Sequence, residues 1–259
     1  MQIAIDVTLD YRLPSAHDVL LQIEAAAMAD QRIVESNFLV TSPERLRAVP
    51  GEESIGQRTW AYADRQLQVS YHALVDVDRP VVDLASLSVA DPRDLPALVV
   101  PYLLPSRYCQ ADKLESFVHR RFADTSGGAK VVEMRDWIAR NVEYASGTSS
   151  SETTAADTFT TRTGVCRDFA HLLASFARAA MIPARLVSAY APGVEPPDFH
   201  AVVEVWLEDG WHLLDATGMA KCNEIVRIGV GRDATDIAFM TIFGSADMVS
   251  QIVNVRRNG

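Results

Sequence analysis

Three stretches decide how this chain is read: Thr161-Arg-Thr-Gly164-Val-Cys166-Arg-Asp168-Phe-Ala170, then His200-Ala-Val-Val-Glu-Val-Trp206, then Trp211-His-Leu-Leu-Asp215-Ala-Thr217. After Cys166 the apolar positions Phe169, Leu172, Leu173, Phe176, Ala177 and Ala180 recur at helical spacing, and Pro183 ends the pattern. The spacing predicts Cys166 in the first turn of a helix, entered from a Gly-, Ser- and Thr-rich loop over residues 146–163. Loops of that length in a compact domain are often functional. The other two stretches have strand character.

A thiol is a nucleophile only as the thiolate, and the positive end of a helix favours that anion, as does a neighbouring imidazolium. Taken alone, Cys166 reads more readily as a small buried apolar residue, which is what most free cysteines are. His200 stands where a loop, Pro196-Pro197-Asp198, enters a strand; alone it reads as a hydrogen-bonded surface histidine. Asp215 closes an apolar run, where a carboxylate is costly unless it has a partner. An imidazole N–H is one such partner, a turn or cap the other.

Register decides whether His200 and Asp215 meet. A two-residue turn at Asp209-Gly210 would put Asp215 opposite Glu204, roughly 13 Å along the strand from His200. A loop centred on Leu207 and Glu208, with Val205 facing Gly210, puts His200 opposite Asp215. The second register is expected. Asp168 and Arg167, beside the thiol, are expected as a cap or ion pair, His171 and His212 as structural, and Trp206 and Trp211 as core.

Upstream, residues 3–13, 19–23, 32–40, 58–62 and 66–77 are short runs with period-two alternation, which predicts an antiparallel β-sandwich-like module. Pro80, Pro92, Pro96, Pro101 and Pro105 mark a segment that regular structure does not cross. The expected division is a β domain over 1–82, a Pro-rich linker over 83–112 and a catalytic domain over 113–259. In the last part a helix is expected after a capping pattern, Asp112 with Glu115, and a second over 129–144. Strands are expected over 184–190, 200–207, 211–214, 224–230, 237–242 and 248–255. Helices followed by sheet make the class α+β.

The 259 residues are 48% hydrophobic and 22% charged, the balance of a folded soluble protein. A formal net charge of -10 argues against nucleic-acid or anionic-membrane partners, which draw on clustered Lys and Arg. Met1-Gln-Ile-Ala-Ile-Asp6 lacks the basic start and apolar core of a signal peptide, so a cytoplasmic location is the expectation. Cys109, Cys166 and Cys222 are three widely spaced cysteines, read as free thiols. Cys166, His200 and Cys222 carry no metal-site spacing, so neither metal nor cofactor is expected.

In order, Thr-x-x-Gly-Val-Cys-Arg-Asp-Phe-Ala, then His-Ala, then Trp-His-Leu-Leu-Asp-Ala-Thr resembles the transglutaminase-like superfamily, with its papain-like fold. The resemblance is most specific from Thr161 to Thr217. Pro101-Tyr-Leu-Leu-Pro-Ser-Arg-Tyr108 and the β-rich start are similar to the N-terminal module of bacterial members. It implies that Cys166 is the nucleophile, His200 its base and Asp215 the orienting carboxylate of a cysteine protease or amidase. Val202 and Ala216 stand where many relatives have Trp and Pro, which changes the pocket wall and leaves the three side chains. Peptide, protein or small amide substrates are expected, attacked to give a thioester that water resolves. The alternatives are an amine acceptor, hence a transamidase, and a non-catalytic module of the same fold.

Overall fold

The computed structural model describes residues 1–258. Alternating apolar residues build its first part: β1 (Gln2–Arg12), β2 (His17–Leu21), β3 (Gln31–Val40), β4 (Arg47–Pro50), β5 (Gln57–Ala63) and β6 (Gln66–Val77). In β6 the side chains of Leu67, Val69, Tyr71, Ala73 and Val75 are buried while their neighbours are not. That is the period-two signature of a strand with one face on a core. The short β4 was not foreseen; all four of its residues are exposed, so it carries no apolar alternation.

The segment after Val77 crosses the molecule in short 3-10 turns, and Tyr102 is its buried anchor. Next come α1 (Glu115–Arg121), α2 (Gly127–Asn141), β7 (Glu143–Tyr144), α3 (Ala155–Thr161), β8 (Thr163–Gly164) and α4 (Cys166–Ala179). The expected Asp112–Glu115 capping box does not form. Asp112 lies in a 3-10 turn, and α1 begins at Glu115 after Leu114, with no side-chain cap. Ala111 and Leu114 are both buried in the helical core, which holds that turn. The second helix stops at Asn141, because Glu143 and Tyr144 pair in parallel with Thr163 and Gly164. The expected loop over 146–163 contains α3, started by a capping box in which Thr154 and Asp157 exchange hydrogen bonds.

The chain ends with β9 (Ala184–Tyr190), β10 (His200–Leu207), β11 (Gly210–Leu214), β12 (Val226–Gly231), α5 (Ala234–Ile237), β13 (Met240–Ile242) and β14 (Asp247–Arg257). The strand expected over 237–242 is instead the end of α5 and the short β13. Asp233 starts that helical turn by accepting from the Thr235 N–H. Three antiparallel sheets result, ordered β14-β1-β6-β3, β13-β2-β5-β4 and β11-β10-β9-β12. The first two share one core, with Ile3, Ile5 and Leu9 against Val19, Leu21 and Ala63, so the N-terminal part is a sandwich. One outer strand of each sheet comes from the far end of the chain: β14 pairs with β1 from Ile3↔Arg257 to Arg12↔Asp247, and β13 pairs with β2. The expected boundaries gave both strands to the catalytic part; their apolar faces are used by the sandwich.

The third sheet packs α4 on one face, through Ala201, Val203, Val205 and Leu207. Every residue of α4 from Asp168 to Ala179 is buried. Burying Phe169, Leu172, Leu173 and Phe176 contributes about 1.5–3 kcal/mol each. Only the first turn, with Cys166 and Arg167, reaches the surface. At the other end Arg178 is buried and donates to the carbonyls of Ala184, Leu104 and Arg232. It ties the Pro-rich segment to the sheet. Across the sheet, Glu204 is fully buried between Arg185 and Arg227, which also reach Glu53 and Asp30 of the N-terminal part.

Candidate active site

Gly164 prepares the start of α4. A Cβ there would sit 2.7 Å from the Asp168 Cβ, and glycine leaves that room. Asp168 therefore folds back and accepts from the Val165 N–H at 2.9 Å, the cap expected of it. Cys166 follows as the first helical residue, where backbone N–H groups have no acceptor within the helix.

His200 opens β10 and is 2% exposed; Asp215 follows β11 and is 5% exposed. The hairpin register differs from the expected one. Leu207 faces Gly210, and Val203 faces Leu214. The turn residues Glu208 and Asp209 both have positive φ, 47° and 60°, the conformation that matches strand twist in a two-residue hairpin. Continuing that ladder would place Asp215 opposite Val202, with His200 on its diagonal and on the same face. A diagonal neighbour is within reach of a long side chain, and His200 Nε2 lies 3.1 Å from Asp215 Oδ2. The pair forms without the direct opposition that was expected.

Asp215 is held by more than the histidine. The Thr217 N–H and hydroxyl each donate to Oδ1 at 2.8 Å, and the Ala220 N–H donates to Oδ2 at 2.8 Å. Burial alone would raise its pKa, but these donors and the His200 charge hold the carboxyl below its ordinary value. Burial works against a charged His200 too, and is outweighed by the Asp215 hydrogen bond, the Cys166 thiol and both their charges. The imidazole is pushed up to about 9. In that charged form Nε2 donates to Asp215. Nδ1 is buried and has no hydrogen-bond partner among the described residues, and Cys166 is close enough to contribute to the raised pKa of the ring.

Cys166 and His200 line one cavity of about 700 Å³, with Tyr108, Arg107, Arg167 and Phe199 among its walls. Sequence reasoning missed Tyr144. Burial first, then neighbouring Cys166, pushes its phenol up to about 12. Its strand pairing with Gly164 brings it there; the two-residue strand gave no periodic signal. His171 is buried and accepts from the Ala234 N–H, and His212 lies at the hairpin turn against the Leu207 carbonyl. Trp206 and Trp211 pack edge to face on the hairpin with centroids 5.3 Å apart.

The other cysteines have different surroundings. Cys109 is fully buried and its thiol is pushed up to about 11 by that burial. Cys222 is raised, again by burial first, and donates to the Leu213 carbonyl. Among the described residues no group of three or more His, Cys, Asp and Glu is arranged to hold a metal ion. No helix among them is long and apolar enough to cross a membrane.

Comparison with known proteins matches residues 112–216 to the family described as the transglutaminase-like superfamily. A candidate cysteine protease from Cytophaga hutchinsonii, of known crystal structure, is 36% identical and superposes with a TM-score of 0.94. That alignment covers 99% of this chain and 90% of the other. An uncharacterised protein of Mycobacterium leprae, ML0607, is 28% identical over 220 residues, covering 81% of this chain and 68% of that protein.

Proposed function

We propose, from the premise that this chain belongs to the transglutaminase-like superfamily, that it is a thiol amidase or peptidase working through a thioester on Cys166. The observation that carries this reading is geometric: buried His200 is held by Asp215 at 3.1 Å and lines one open cavity together with Cys166.

The Cys166 thiolate attacks the carbonyl carbon of an amide, a C–S bond forms, and the carbonyl electron pair moves to oxygen. The Cys166 N–H at the helix start and the Tyr144 hydroxyl, which keeps its proton at neutral pH, donate to that oxygen. As the intermediate collapses, the C–N bond breaks and His200 gives its Nδ1 proton to the departing amine. His200, now neutral, takes a proton from water, whose oxygen attacks the thioester. Carboxylic acid leaves and the thiolate–imidazolium pair is restored. Asp215 keeps the ring oriented and stabilises its charge throughout.

The test is to trap the thioester. Incubation with 4-nitrophenyl acetate is expected to place a hydroxylamine-labile acetyl group on Cys166, absent from Cys166→Ala and strongly slowed in His200→Ala. Acetylation that is spread over other nucleophiles and indifferent to His200 would sink the reading.

A further inference from the structure

The cavity that holds Cys166 and His200 has two guanidinium groups in its lining, those of Arg107 and Arg167. Arg107 lies over the Tyr108 ring, 5.0 Å from its centroid. That ring is stacked in turn on buried His171, with centroids 5.2 Å apart and planes 8° apart. The Tyr108 N–H donates to Asp233 and its hydroxyl to the Ser151 carbonyl at 2.6 Å. Arg178 fixes the chain just before it, through Leu104 and Ser106. The platform under Arg107 is therefore rigid. Burial holds His171 down at about 3, so the stack carries the charge of Arg107 alone.

Arg167 is the second of the two. It is held by the Ser149 hydroxyl and the Ser150 carbonyl, both at 2.7 Å, and its one carboxylate neighbour, Asp168, is 3.6 Å away and fully buried. Among the described residues no carboxylate lies within ion-pair distance of Arg107. A chain with a formal charge of -10 thus leaves an uncompensated guanidinium at the mouth of this cavity. The one carboxylate in the cavity lining, among the described residues, is Asp198, exposed, two residues before His200, and it accepts from the Phe199 N–H and from Gln251.

We infer that the cleft takes an acyl group bearing a carboxylate, with Arg107 as its principal anchor and Arg167 beside it. This rests on the acyl-transfer reading above. In that chemistry the departing amine must lie at His200, which protonates it, on the side of Asp198. The rest of the acyl chain then occupies the remainder of the cleft, whose lining carries the two arginines. Planar guanidinium groups suit a carboxylate, which they meet with paired N–H donors.

Charge selectivity at the thiol tests this without knowledge of the natural substrate. The rates of Cys166 alkylation by iodoacetate and by iodoacetamide are measured, and their ratio is compared with that for 2-mercaptoethanol. The unaltered protein is expected to favour iodoacetate. Arg107→Gln is expected to lower the ratio about five-fold at low salt, Arg107→Lys much less, and the remote Arg45→Gln not at all. A ratio that Arg107→Gln leaves unmoved would assign any anion preference to the His200 imidazolium and overturn the inference. Slow alkylation of Cys166 by both reagents would instead overturn the acyl-transfer reading itself.

Discussion

Replacing Asp215 by asparagine changes almost no volume, so it isolates charge. Each carboxylate oxygen now takes donors on one edge: Thr217 N–H and hydroxyl on Oδ1, Ala220 N–H and His200 on Oδ2. An amide keeps one acceptor oxygen. Turned toward His200 and Ala220, it sets its NH₂ against the Thr217 N–H, a mispaired buried donor costing about 1–3 kcal/mol. The hydroxyl of Thr217 can rotate to accept; the backbone N–H has no such freedom. The larger effect falls on His200. Its rise from 6.5 to about 9 corresponds to roughly 3 kcal/mol of preference for the imidazolium. The leading support for that rise, against burial, is Asp215. Asp215→Asn is therefore expected to bring His200 down to about 7 or lower and to slow Cys166 alkylation at neutral pH about ten-fold or more. Titration of the ring C–H by NMR, assigned with His200→Ala, gives the first quantity; labelling followed by mass spectrometry gives the second. An Asp215→Asn protein whose His200 still titrates near 9 would refute the argument that the carboxylate charge sets the state of the ring.

Tyr144→Phe is expected to slow acyl transfer by on the order of 10²-fold, the size of one lost oxyanion donor, while alkylation, which develops no oxyanion, stays fast; equal losses in both would assign Tyr144 to packing. Glu204→Ala leaves Arg185 and Arg227 buried without their shared carboxylate and should cost about 3–5 kcal/mol in urea unfolding; a cost under about 1 kcal/mol would show that Glu53 and Asp30 suffice. Gly164→Ala, with its Cβ against Asp168, should destabilise by about 1–3 kcal/mol and slow Cys166 labelling, because the start of α4 must shift; unchanged stability and labelling would contradict it. Because folded His200 titrates above its ordinary value, its stabilisation is fully present below about pH 6.5 and is lost as pH rises through about 9. The unfolding free-energy difference from His200→Gln should therefore shrink by roughly 3 kcal/mol between about pH 6 and pH 10, and a pH-independent difference would refute the linkage.

The strands and helices with one clear apolar period could be read from sequence: β6, β9, β10 and α4 lie where their patterns predict. What escaped was set by contacts distant in sequence. β13 and β14 fall in stretches expected to be strands, but nothing local says that they complete sheets begun by β2 and β1. The capping box of α3 is visible in Thr154-Ala-Ala-Asp157, yet the surrounding Ser, Thr and Gly masked it. At the hairpin a longer loop, with Val205 facing Gly210, was expected, while Glu208 and Asp209 take the left-handed positions, so that the turn is two residues long and Leu207 faces Gly210. His200, Asp215 and Cys166 were each ambiguous alone, and their order along the chain singled them out. Tyr144 and Arg107 had no such pattern. A two-residue strand sets Tyr144 beside Gly164, just before Cys166, and a proline-rich turn brings Arg107 to the cavity; neither has a period to read.

The most direct test of the central claim is the rate of Cys166 alkylation by iodoacetamide near neutral pH, with Cys109 and Cys222 as internal references and His200→Ala as the comparison. The account predicts that Cys166 is labelled first by a wide margin, since burial raises the other two thiols, and that His200→Ala removes most of the advantage. Labelling of Cys166 no faster than the other two, or unchanged in His200→Ala, would contradict it and leave the fold without a thiolate–imidazolium pair.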